Sequence, residues 1–245
     1  MSTNERLGSL DVFRGLVIGA MMFVNCAGHD PAFPGWIAHR GWNQGRQGLG
    51  MADYVFPLFL FIVGASAYLS AKSARSRGVP VGSQAARLVR RAATLYLLGT
   101  LLWCATIAYD RAMTLSVFLH WDILPLIAWA GLVCAVIVRA PGWVRATFVV
   151  AALAFKWYLL TRVVVPGQAG VVWSPELNAQ RWLNGELGWF GVPLTQGPAA
   201  AALCVIGAEC ARHLDLATDR KLAAVRLIVA GCVGVAVSYA WHRAG

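Results

Sequence analysis

The chain has 245 residues, of which 58% are hydrophobic and 13% charged, and it carries a formal net charge of +10. A soluble domain has about a quarter of its residues charged, so this composition excludes an ordinary water-soluble globule and points to lipid as the solvent. The positive charge is not a nucleic-acid signal: the cations flank apolar runs, where the positive-inside rule and anionic lipid account for them, and aromatic-basic interleaving is missing.

Seven apolar runs follow one another, at residues 12–28, 54–71, 92–109, 115–138, 145–165, 193–211 and 222–241. Backbone polar groups in a bilayer must be paired internally, so these runs predict helices. The ten-residue alternation of an outer-membrane barrel is absent. The first run is short and begins beside Arg14. With Asp11 and Arg14 where a leader's apolar stretch should start, and no A-x-A site after it, it reads as a retained span and not a signal peptide. No repeat, low-complexity tract or linker interrupts the chain. The expected fold class is an all-α, polytopic transmembrane bundle of about seven spans, forming a single membrane domain over 1–245.

Orientation follows from the Lys/Arg asymmetry. With the N-terminus inside, the short connections holding Lys72, Arg75, Arg77, Arg87, Arg90 and Arg91 face the cytoplasm. The C-terminus is then outside, and so are the two longest loops, 28–53 and 166–192. Long loops usually carry function, which puts a working surface on the outer side. Cys26, Cys104, Cys134, Cys204, Cys210 and Cys232 lie in or at the ends of apolar runs without a CxxC pair. They read as small packing residues, so neither a disulfide framework nor a metal site is expected.

Ionisable groups at membrane depth are costly and are candidates for function. Asp11 and Arg14, three apart, can pair on a helix. They either anchor a helix end or, with Arg14 and the basic inner loop, hold a phosphorylated cofactor through the planar guanidinium. Asn25 and His29 close the first run, and His39, Trp42, Asn43 and Asp53 follow in the first outer loop. His120 and Asp122 begin the fourth run; two apart, they do not share a helix face, though either suits a central cavity. Glu209 is explained by an i,i+3 pair with Arg212. Trp36, Trp42, Trp173, Trp182 and Trp189 belong to an interfacial aromatic belt or to a stacking platform for a sugar ring.

The motifs RLGSLDVFRG at 6–15, FVNCAG at 23–28, HRGWN at 39–43, ADYVFPLFLFIVG at 52–64 and RRAATLYLLG at 90–99 together resemble the opening of the heparan-α-glucosaminide N-acetyltransferase family. The first motif alone also opens the wider transmembrane acyltransferase superfamily; the combination is more specific. Between Trp42 and Asp53 this chain is longer than the family pattern.

The resemblance implies an enzyme that takes acetyl from acetyl-CoA on the cytosolic side and delivers it to an amino sugar or related glycan on the far side. By similarity, His39 matches the catalytic histidine and Asn25 the active-site asparagine. His120 and Asp122 are added as catalytic candidates, and Trp42, Asn43 and Asp53 as acceptor-binding ones. Asp11, Arg14, Arg87, Arg90 and Arg91 are expected to serve the phosphates of acetyl-CoA, the one co-substrate, with no metal. His39 is either a general base or a transiently acetylated nucleophile, and both routes stay open. The expected partners are the lipid bilayer and an extracytoplasmic sugar, with no nucleic acid and with homo-oligomerisation left open. The expected location is a bacterial inner membrane. A small-molecule transporter or channel, or a non-catalytic subunit of a membrane complex, remains the alternative, although no inverted repeat supports a transporter.

Overall fold

The structure, a computed structural model, describes residues 8–27, 34, 36, 37, 50–107, 120–172, 174 and 177–244. The described residues form α1 (Gly8–Ala27), α2 (Met51–Ser76), α3 (Val81–Ile107), α4 (Ile123–Ile137), α5 (Gly142–Thr161), α6 (Ala179–Glu186), α7 (Gly191–Thr195), α8 (Gly197–Leu216) and α9 (Arg220–Ala244), with a 3-10 turn at Gly188–Phe190. No strand occurs among them, and the all-α membrane architecture expected from the apolar runs is observed. Five helical segments are long and apolar enough to cross a membrane: α2, α3, α5, the run Gly188–Leu216, and α9. α4 is equally apolar but has 15 residues.

Two features depart from the apolar runs by more than a few residues. α3 starts at Val81, eleven residues before the run at 92, because Gln84, Ala85, Ala86 and Arg87 are good helix formers although they are not membrane-like. The polar first turns project beyond the apolar segment as continuous helix. The second long loop is also not irregular throughout. It contains α6, where the Asn178 side chain caps the helix by accepting the Arg181 N–H at 2.9 Å.

α8 is the centre of the bundle and packs against α2, α4 and α5. Its face of Ala201, Ala202, Cys204, Val205 and Ala208 is fully buried. These small side chains let backbones approach, as membrane helices require when lipid supplies no hydrophobic drive between them. At the crossing with α2, a Cβ on Gly64 would lie 1.6 Å from the Cys204 carbonyl oxygen, and one on Gly207 would lie 2.0 Å from that of Phe61. Both positions admit glycine alone without backbone movement. α1 lies along α2 through Val17 and Val24 against Ala52, Val55 and Ile62. α9 exposes most of its apolar side chains, Ala223 being buried at its start.

Polar contacts gather at one end of this antiparallel array. Lys72 on α2 meets Asp215 on α8 at 2.6 Å, and the Tyr68 hydroxyl donates to the same carboxylate at 2.8 Å. Arg145 on α5 reaches Glu209 on α8 at 2.6 Å. Glu209 therefore finds its cation on a neighbouring helix and not on Arg212, as the i,i+3 spacing suggested. The opposite end is aromatic. Trp121 sits among Tyr96, Trp129 and Trp189, with ring centroids 5.8, 6.5 and 5.4 Å away.

Candidate functional site

Near the cationic end, α2, α3 and α4 enclose a cavity of about 200 Å³. α3 supplies Gln84, Arg87 and Arg91, spaced so that successive turns present them to one face. Arg139 joins from just past the end of α4, and α2 supplies Ser66, Ser70 and a run of alanines. Further in, the wall becomes apolar, with Leu95 on α3 and Ile127, Ala128 and Gly131 on α4. The small residues on α2 and α4 create the space; larger ones at Ala67, Ala71, Ala128 or Ala135 would fill it.

The residues expected to hold phosphate divide over this geometry. Arg87 and Arg91 line the cavity, whereas Arg90 does not; its backbone carbonyl accepts the Thr94 hydroxyl at 2.9 Å. Asp11 and Arg14 pair at 3.2 Å on α1. Arg14 also donates to the Ser66 hydroxyl, which in turn donates to the Ile62 carbonyl at 2.6 Å. Arg14 is thus coupled to the cavity through a serine on its wall.

Of the candidates for catalysis and acceptor binding, Asn25, Asp53, His120 and Asp122 belong to described segments at the other end. His39, Trp42 and Asn43 lie outside the described residues. Asn25 falls in the last turn of α1, its side chain outside the described set. Asp53 stands in the first turn of α2, where its carboxylate accepts the Gly50 N–H at 2.8 Å. The chain before His39 is tied to the same helix start: Met51 and Ala52 donate to the carbonyls of Trp36 and Ile37 at 2.7 and 3.1 Å. Thus α2's first turn is joined to the described part of the first long loop at the end of the bundle where α1 finishes.

His120 stacks on Trp103 with centroids 4.0 Å apart and planes 12° from parallel. Stacking occupies the ring face and leaves the in-plane nitrogens directed elsewhere. Asp122 is the N-cap residue of α4, but its side chain makes no capping hydrogen bond. Trp103 and Arg91 belong to the same helix, twelve residues or about 18 Å apart. The apolar inner end of the cavity at Leu95 is eight residues, about 12 Å along the helix, from Trp103, so the cavity runs from the arginines toward the imidazole.

Sequence reasoning missed Arg139, Gln84, Ser66 and Ser70. The periodicity of Gln84, Arg87 and Arg91 becomes visible once the helix is taken to begin at Val81; Arg139 joins them only through tertiary packing. Among the described residues, no group of three His, Cys, Asp or Glu side chains is arranged to hold a metal.

The structure defines a multi-pass helical membrane protein whose arginine-lined cavity and histidine-bearing aromatic end occupy opposite ends of the same helices. The catalytic-domain model of the heparan-alpha-glucosaminide N-acetyltransferase family matches residues 6–194, and the chain belongs to that family of acyltransferases, as the order of its motifs predicts. It is similar to heparan-alpha-glucosaminide N-acetyltransferase of Mus musculus, 37% identical over 101 residues, covering 41% of this chain and 14% of the relative. The Homo sapiens protein of that name is 44% identical over 73 residues, covering 30% of this chain and 10% of the relative.

Proposed function

We propose that this chain transfers an acetyl group from acetyl-CoA, met at the cationic end, to the amine of an extracytoplasmic amino sugar at the aromatic end. Family membership over residues 6–194 is the observation that carries this reading. The arginine-lined cavity supports it. Its volume of about 200 Å³ is below the roughly 300–1,000 Å³ of pockets that enclose a whole drug-sized ligand. A slim acyl-bearing arm suits it, with the nucleotide held at the mouth by Arg87 and Arg91 and with Arg14 adding positive charge from the side of α1. Arginine suits phosphate because its fork donates two parallel hydrogen bonds.

In this reading the chain is one domain of seven spans in a bacterial inner membrane, with its N-terminus in the cytoplasm. The donor arm carries the acetyl group toward the end where α1 finishes and α2 begins. His39 accepts a proton from the acceptor amine as its nitrogen forms a bond to the thioester carbonyl carbon. Asn25 donates a hydrogen bond to the oxygen that gains negative charge. The carbon–sulfur bond then breaks, and the CoA thiolate takes up the proton released from the amine. His120 and Asp122 flank the acceptor, with Trp42, Asn43 and Asp53 on the first-loop side.

The test is transfer of labelled acetyl from acetyl-CoA to glucosamine by purified protein in liposomes. Transfer by the wild type and its loss in folded His39→Ala support the proposal. Full transfer by His39→Ala removes that residue from the chemistry, and no transfer by the wild type overturns the enzyme reading.

A further inference from the structure

The cavity has a third arginine that the donor reading did not use. Arg139 stands just past the C-terminus of α4, facing Arg87 and Arg91 on α3 across the cavity. The lining contains three guanidinium groups, one amide and two serines, and no carboxylate. A cationic wall without a local counter-charge is an anion site in search of its anion.

Arg139 is also aimed. One terminal nitrogen donates to the Ala135 carbonyl, and the other donates to the Gln84 side-chain oxygen at 3.3 Å. Gln84 is buried, and its own amide nitrogen donates to the Val79 carbonyl at 2.8 Å. With that end committed, the Gln84 oxygen must face the arginine. A guanidinium has five N–H donors, so two of these bonds leave donors for a ligand. The first turn of α3 thus sets the direction of a cation just past the end of α4.

We propose that Arg139, with Arg87 and Arg91, binds a phosphate group, and that Gln84 is the positioning residue that directs Arg139 to it. The phosphate belongs to the CoA donor, which rests on the function proposed above, or to a phospholipid headgroup entering from the bilayer. Both offer the same oxyanion to the same three forks.

The experiment uses the whole chain in dodecyl maltoside free of phospholipid, titrated calorimetrically with CoA and, separately, with short-chain phosphatidylglycerol. Arg139→Gln removes the charge. Gln84→Glu keeps an oxygen to accept from Arg139 but loses the amide donor to the Val79 carbonyl, and it places a negative charge on the cavity wall. A purely structural role predicts that Gln84→Glu lowers the unfolding temperature and leaves CoA affinity unchanged. The proposal predicts that both variants weaken CoA binding about tenfold or more, as loss of a charge-assisted hydrogen bond does. Arg139→Lys recovers part of that loss.

If phosphatidylglycerol affinity falls in both variants while CoA affinity stays constant, the phosphate site stands with lipid as its source and the donor assignment of the cavity fails. If neither affinity changes in Gln84→Glu or in folded Arg139→Gln, the proposal is overturned. Continued CoA binding and acetyl transfer by the wild type then leave the enzyme reading intact.

Discussion

Arg145 on α5 is buried and meets Glu209 on α8, sixty-four residues along the chain, at 2.6 Å. The guanidinium has left water, while the carboxylate keeps partial access to it. Removing the carboxylate therefore strands a buried cation, which costs more than the pair contributes. Glu209→Ala should destabilise the protein by about 1–3 kcal/mol, less than a fully buried pair because Glu209 is half-exposed. Double replacement of Arg145 and Glu209 by methionine should recover most of the loss. Thermal unfolding of the two single variants and the double variant in detergent measures this coupling.

Lys72 and Asp215 are as close, yet the expectation is different. The Lys72 side chain is 55% exposed, so water and salt screen the pair. Lys72→Met should cost less than about 1 kcal/mol, and the difference should shrink further in high salt. A cost as large as that of Glu209→Ala would mean that the lysine holds α2 to α8 in a drier setting than its exposure indicates.

Glycine substitutions should split by position. Gly207→Ala places a methyl group against the Phe61 carbonyl and should destabilise by about 1–3 kcal/mol, the cost of overpacking. Gly234→Ala on α9 meets nothing within 4 Å and should be neutral or stabilising by up to about 1 kcal/mol through helix propensity. Melting curves of the two variants, compared with the wild type, give the sign of each.

Donor binding and chemistry should separate in kinetics. Arg91→Gln should raise KM for acetyl-CoA about tenfold with kcat little changed, because the phosphate contact is the same in ground and transition states. His39→Ala should lower kcat about a hundredfold or more and leave donor affinity intact. Equal loss of kcat in both variants would argue against this division.

His120→Phe keeps an aromatic ring against Trp103 and removes the two ring nitrogens. Its unfolding temperature should stay within a degree or two of the wild type, the shift expected from less than about 1 kcal/mol. Transfer should fall if those nitrogens serve the acceptor. Unchanged transfer would reduce His120 to a stacking partner.

The helices were legible in the sequence because lipid leaves a chain few options: the apolar runs on α2, α5 and α9 announce themselves. The start of α3 was not, because apolarity marks where a helix meets lipid and not where the backbone begins to coil. That difference hid the Gln84–Arg87–Arg91 face. Glu209 shows a second limit. A local spacing offered Arg212, and the fold chose Arg145 from another helix. Arg87 and Arg91 were readable as phosphate candidates from charge and motif, whereas the relation of Arg139 to Gln84 exists only after α3 and α4 pack.

The glycine crossing of α2 and α8 has a mechanical consequence. Two helices whose backbones touch at Gly64 and Gly207 interlock; sliding either along the other drives a carbonyl into an α-carbon. The pair behaves as a stator. The cavity has α2 as one wall and α3 and α4 as the others, so any widening that admits or releases a ligand falls to the walls away from α8's glycine contact. α3, most of whose side chains face outward, is the wall with the least to disengage.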